Sequence, residues 1–172
     1  GDIYPQVLNL NTGAPFNAFS RAPQIRYRFD NGHWQLTGAA LWQLQYLSNG
    51  PNGKSEEYIK NSCIPEFYAG IDYKHENFQA GIGAEVLSLK PRTQNTVDGK
   101  VYKLDERITS MSFEAHLRYK TPDWLVAAKS TLGENMTHTC MLGGYGVTSI
   151  DARTGEQTYT PVSYTHLRAH ET

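Results

Sequence analysis

Residues 29–34, "FDNGHW", set an aromatic on each side of four turn-forming residues, and the layout returns as "YKHENF" at 73–78 and "YKTPDW" at 119–124, about 45 residues apart each time. Outward from each bracket the chain alternates with period two, as a strand with unlike faces must. In the first unit one face carries Ile25, Tyr27 and Phe29, then Trp34, Leu36, Gly38, Ala40, Trp42, Leu44 and Tyr46. The other carries Gln24, Arg26 and Arg28, then His33, Gln35, Thr37, Gln43 and Gln45.

The second unit sets Phe67, Ala69, Ile71, Tyr73, Phe78, Ala80, Ile82, Ala84 and Val86 against Glu66, Tyr68, Gly70, Asp72, Gln79, Gly81, Gly83 and Glu85. The third sets Met111, Phe113, Ala115, Leu117, Tyr119, Trp124, Val126, Ala128, Ser130 and Leu132 against Ser112, Glu114, His116, Arg118, Lys129 and Thr131. No charge falls on the apolar face of any unit. These are three β-hairpins.

Asn31-Gly32 is the strongest turn signal of the three, because both residues accept the positive φ of a type I′ turn, and such a turn pairs Phe29 with Trp34. His75-Glu76 would do the same for Tyr73 and Phe78. Pro122 cannot adopt positive φ, so the third hairpin turns through a type I geometry in a different local register. The connections at the opposite ends (48–63, 91–106 and about 133–161) are long and polar, no helix of convincing length is visible, and residues 4–23 read as irregular. The expected fold is all-β, antiparallel, with about six strands in three hairpins, short turns on one side and long loops on the other.

At 172 residues, 39% hydrophobic and 12% aromatic, the chain is apolar enough to fold. Its net charge of −1 gives no surplus for neutralising phosphates, which argues against nucleic acid. No apolar stretch reaches the length of a transmembrane helix, but a membrane strand needs only about ten alternating residues. The start "GDIYPQ" has no initiator Met and no leader pattern, and is read as a mature protein or an internal piece.

Alternation alone favours a soluble sandwich or lipocalin-like barrel with the apolar face inside. Three features reverse that preference. Strands of about 9–13 residues can cross a tilted bilayer span; rings gather at the turn ends and again near Trp42, Tyr46 and Phe67, as two interfacial girdles would; and short turns face long loops, as periplasmic turns face extracellular loops. Phe29, Trp34, Trp42, Tyr46, Tyr73, Phe78, Tyr119 and Trp124 are the expected girdle. Six strands cannot close a membrane barrel, so the segment is expected to belong to a larger one.

The run "GAPFNAFSRAPQIRYRF", the hairpin spacing and "MLGGYGVTSIDARTGEQTYT" resemble the DcaP-like porins of the outer membrane, in particular the Bacteroidetes forms, over roughly residues 4–162. That resemblance implies a trimer of sixteen-stranded barrels in the bacterial outer membrane, passing small, often anionic solutes and using no cofactor. Residues 1–162 are then a partial barrel. The remainder, "SYTHLRAHET" from Ser163, departs from the pattern and resembles a translated sequencing-adapter tail, so it is set aside as non-native.

In a porin the polar face lines the pore. The expected lining is Arg26, Arg28, Gln35, Gln43, Glu66, Asp72, Glu85, Glu114, His116, Arg118 and Lys129, mixed in sign, with cross-strand ion pairing the alternative role for any one of them. Arg26 and Arg28 motivate an expected preference for anions. Neither a GxSxG elbow nor a phosphate loop is present, and "GGYG" at 143–146 reads as flexible turn, so no enzyme is expected. The histidines His33, His75, His116 and His138 are scattered without ligand spacing, and Cys63 and Cys140 lack it too, so no metal site is expected; a disulfide between the two cysteines stays open.

Overall fold

The computed structural model describes residues 20–171; for residues 4–19 the expected irregular structure lies outside the described residues. In chain order the elements are β1 (Gln24–Asp30), β2 (Trp34–Leu41), a small hairpin of β3 (Asn49–Gly50) and β4 (Gly53–Lys54), helix α1 (Glu57–Ser62), β5 (Glu66–His75), β6 (Phe78–Leu89), a second small hairpin of β7 (Gln94–Val97) and β8 (Lys100–Lys103), β9 (Ile108–Lys120), β10 (Leu125–Glu134), a 3₁₀ turn (Met136–Thr139), β11 (Gly144–Ile150) and β12 (Gln157–Glu171). Eight strands form one antiparallel sheet in the order β1-β2-β5-β6-β9-β10-β12-β11, which is open, with β1 and β11 at its edges.

The three expected hairpins are all present, and the sheet adds two further strands. The stretch 133–161, read from sequence as loop, supplies the 3₁₀ turn, β11 and the start of β12. Its glycines lower strand propensity, which hid a strand whose backbone pairs with β12 from Gly144↔Val162 to Ile150↔Gln157. Residues 163–171, whose pattern departs from the rest of the chain, continue β12 and pair with β10 from Glu134↔Ser163 to Val126↔Glu171. Ladder bonds use only backbone groups, so this segment needs no matching side-chain pattern to give β10 its outer neighbour.

The turn registers differ from two of the three expected. In the first hairpin Phe29 pairs with Leu36, not with Trp34, because the two-residue tip is Gly32-His33 and Asn31 faces Trp34. The side chains decide this: Asn31 Oδ1 accepts from the backbone N–H of Trp34 at 2.8 Å and of His33 at 3.2 Å, and Asp30 Oδ1 accepts from Gly32 N–H at 2.8 Å. Gly32, at φ +91°, occupies the first central position, where a II′ turn requires positive φ. In the second hairpin the tip is Glu76-Asn77, with His75 opposite Phe78 and Tyr73 opposite Ala80. Both shifts are by two residues, so every side chain keeps its expected face. The third tip is Pro122-Asp123, with Thr121 N–H donating to Trp124 O at 2.8 Å and Tyr119 paired with Val126.

Across strands the rings do line up at the turn ends. Trp34 pairs directly with Tyr73, ring centroids 4.8 Å apart, and Phe78 pairs with Tyr119. Trp42 and Tyr46 fall instead in the connection after β2, which ends at Leu41. Trp42 packs on Tyr58, Ile59, Leu87 and Leu89, so of the second ring cluster only Phe67 sits exposed on a strand.

The faces are inverted relative to a water-soluble sheet. Along β9 from Ser110 to Tyr119 the apolar positions are the open ones and the polar positions are covered: Phe113 is 51% exposed and its neighbour Ser112 is 8% exposed. Trp34, Phe78 and Trp124 are 46%, 40% and 58% exposed, with no second layer above them among the described residues. The buried apolar cluster lies at the long-loop end, where α1 packs on the far end of β6. Alternation set the faces; the long connections then folded over the polar one.

Candidate functional site

The covered polar face is a trough of about 570 Å³. Arg26, Arg28, Gln35, Glu66, Asp72, Glu85, Glu114 and His116, expected from the sequence, all line it, together with Tyr68 and Gln79. Lys129 reaches it indirectly, as the 3.0 Å partner of Glu114. Arg118 lies nearer the short turns, in a hollow with Lys74, Glu76 and Lys120. Gln43 is not on a strand at all: it is buried in the β2–β5 connection, where its side chain donates to Ser48 Oγ at 2.9 Å and accepts from Ser48 N–H at 3.0 Å. It shapes a loop and, from behind, hydrogen-bonds the Glu66 carboxyl, without itself lining the trough.

The trough depends on small residues between its polar ones. Gly70 and Gly83 are directly paired, and a Cβ on either would stand 2.6 Å from the Tyr68 hydroxyl. The phenol therefore lies across the two glycines, and its O–H donates to Glu114 Oε1 at 2.8 Å. Gly81 likewise leaves room for His116 Nε2 and Asp72 Oδ1 to meet at 2.9 Å. Substituting Gly83→Val is expected to displace the Tyr68 ring, break its bond to Glu114 and cost about 1–3 kcal/mol, as overpacking does. Denaturant titration of the variant beside Gly70→Ala and wild type checks this; an unchanged midpoint would show that the ring is not seated there.

Glu66, Glu85 and His138 form a cluster that the sequence did not disclose. The third long connection turns inward through Asn135, at φ +49°, and residues 135–139 are all buried. His138, 1% exposed, brings Nε2 to 3.1 Å from Glu85 Oε1 and 3.3 Å from Glu66 Oε2. Burial opposes a charge on this imidazole, but the hydrogen bond to Glu85 and the negative charges of Glu66 and Glu85 outweigh it, and its pKa is raised above the usual histidine value. Thr137 Oγ1 also accepts from Asn49 N–H at 3.1 Å, tying this loop to the first one. The only sequence signal was a histidine beside glycines in a loop, with its partners 53 and 72 residues away.

A second polar hub joins the long connections outside the strands. Buried Glu106 accepts from Arg92 Nε at 3.1 Å, from a second guanidinium nitrogen of Arg92, from Tyr159 O–H at 2.6 Å and from Gln157 N–H at 2.6 Å. Burial alone would raise the carboxyl's pKa; these four donors reverse the sign and hold it below the usual value. Arg92 also donates to Gly155 O at 2.7 Å, and Asn95 to Thr154 O at 3.0 Å. Cys63 and Cys140 are free thiols.

On the opposite face an apolar hollow of about 650 Å³ lies between Ile71, Ile82, Phe113 and Leu132, over a floor of Ala69, Ala84 and Ala115. No protein-family model matches the chain, and neither a curated protein nor a solved structure matches it. The porin resemblance therefore rests on the sequence pattern alone.

Proposed function

We propose that this chain is a segment of a bacterial outer-membrane β-barrel of the DcaP-like kind, through which small hydrophilic solutes diffuse passively, with anions preferred. The inverted burial carries the reading. In water, a sheet exposing Ile, Leu, Phe and Trp over a whole face would shed them into a core or a partner, whereas in lipid that face is already in its solvent. The aromatic row at the short turns suits one headgroup layer. The open edges at β1 and β11 call for further strands in a closed barrel, because unpaired backbone groups in hydrocarbon cost several kcal/mol each. A homotrimer of such barrels, with lipid outside and aqueous solute inside, needs no catalytic group or cofactor.

The anion preference rests on Arg26 and Arg28. Of the trough carboxylates, Glu114 is paired with Lys129, Asp72 meets the His116 imidazole, and Glu66 and Glu85 share His138. Arg26 and Arg28 form no ion pair among the described residues; Arg26 donates to Gln24 at 2.8 Å, and Arg28 lies close enough to Asp30 to act on its charge. Both guanidinium groups line the trough and face passing solute. In planar bilayers under a salt gradient, the complete protein is expected to show an anion-selective reversal potential that moves toward zero in Arg26→Gln/Arg28→Gln. Clear cation selectivity of the wild type sinks the preference, and the absence of any conductance sinks the channel.

The apolar hollow favours one other reading, a water-soluble β-sheet module that binds an apolar ligand against Ile71, Ile82 and Phe113. Cooperative folding of the chain as a monomer without detergent would select it.

A further inference from the structure

We propose that Glu66, Glu85 and His138 bind one divalent cation of the Zn²⁺ class, which tethers the inward loop 135–141 to the wall of the sheet. The three donors come from three separate elements, the start of β5, the middle of β6 and the 3₁₀ turn, and lie within 4.8 Å of one another. Ligands held about 2.0–2.1 Å from a tetrahedral Zn²⁺ stand about 3.3 Å apart. The imidazole-to-carboxylate separations of 3.1 and 3.3 Å are those of such a shell. Two carboxylates and one imidazole also match the charge and hardness that a Zn²⁺-class ion accepts.

The loop's own cost points the same way. Its inward path buries both side-chain polar atoms of Asn135 with no hydrogen-bond partner. It also holds Asn135 and Cys140 at φ +49° and +61°. Each feature opposes this conformation by about 1–3 kcal/mol. Against them the loop has the Asn49–Thr137 bond, Asn135 N–H donating to Val162 O at 3.2 Å, Thr139 O–H donating to Met136 O at 2.8 Å, the burial of Met136 and Met141, and the grip of two carboxylates on one nitrogen. A cation seated among the three donors turns that weak grip into coordination.

Both carboxylates line the 570 Å³ trough, which gives an ion an entry path. The inference needs only the polar face, and so stands apart from the membrane reading of the apolar one.

The test is equilibrium dialysis of the full chain in detergent against Zn²⁺, with Co²⁺ as a spectroscopic substitute. Wild type is expected to take up one ion more than Glu85→Gln or His138→Gln, to show the visible bands of tetrahedral Co²⁺, and to match Asp123→Asn, a carboxylate removed at the short turn far from the three donors. In the unmodified chain, Zn²⁺ at a hundred times its dissociation constant should slow amide exchange over 135–141 about a hundredfold. Equal stoichiometry in wild type, Glu85→Gln and His138→Gln overturns the site. So does a loop whose exchange ignores Zn²⁺, which needs no variant to fold. Conductance is not part of either readout, so a failed channel and a failed metal site are told apart.

Discussion

Replacing Ile82 by lysine is expected to destabilise the membrane-inserted protein by about 2–4 kcal/mol, the penalty for a charge near the bilayer midplane on the lipid face of a barrel. Ile82 lies in the middle part of β6, between Ile71 and Ala115 on the neighbouring strands, and is 62% exposed. The same substitution at an exposed site in water changes stability by no more than about 0.5 kcal/mol. The two solvents therefore give answers several-fold apart for one variant. Gln79→Lys, one face over and near the turn, serves as the control and should fall within about 0.5 kcal/mol in either case. The measurement is denaturant unfolding of the complete protein from lipid vesicles, with wild type alongside. A penalty for Ile82→Lys no larger than that of the control would remove lipid from the apolar face, and the channel with it.

Glu106→Ala is expected to cost about 3 kcal/mol, because it strands a largely buried Arg92 together with the Tyr159 hydroxyl and the Gln157 N–H. The loss should be local. Glu106 joins the connection after β8 to the hairpin tip 151–156, so amide exchange should quicken at Gln157 and Gly155 before the ladders of β6 and β9 open. Glu106→Gln keeps the shape and one of the two acceptor oxygens but not the charge, and should fall between wild type and Glu106→Ala. The native pKa of this carboxyl lies below its ordinary value of 4.5. Its contribution is therefore complete above that value and is lost as pH falls through the native one. Wild type should loosen at these loops in acid, and Glu106→Ala, already loose, should show no further acid step there. An acid response identical in both would remove Glu106 as the hub.

The legibility of this chain was uneven, and each gap has a physical reason. Alternation fixed the face of nearly every strand residue, because a strand's side chains have a period of two and a register shift of two leaves the faces unchanged. That is why Phe29 could pair with Leu36 and not Trp34 while both rings stayed on the open face. The exact tip was illegible because an Asn or Asp side chain can close a turn that the backbone pattern alone puts elsewhere: Asn31 and Asp30 did so. β11 escaped notice because Gly143, Gly144 and Gly146 read as turn, and β12 because its second half was discounted. Of the expected pore residues, eight on strands line the trough and Lys129 reaches it through Glu114, whereas Arg118 sits nearer the short turns and Gln43 is off the strands, since counting by twos fails once a strand has ended.

The amino-acid order by itself determined a sheet with one oily and one wet face, three tight turns bracketed by rings, and long connections at the other end. Those are local properties, set by residues two to six positions apart. Only the tertiary structure decided that the long connections fold over the wet face, that Glu106 binds them together, and that His138 meets Glu66 and Glu85 across 53 and 72 residues of chain. Contacts at such separations arise from where whole strands pair and loops return. No short-range pattern of side chains carries that information.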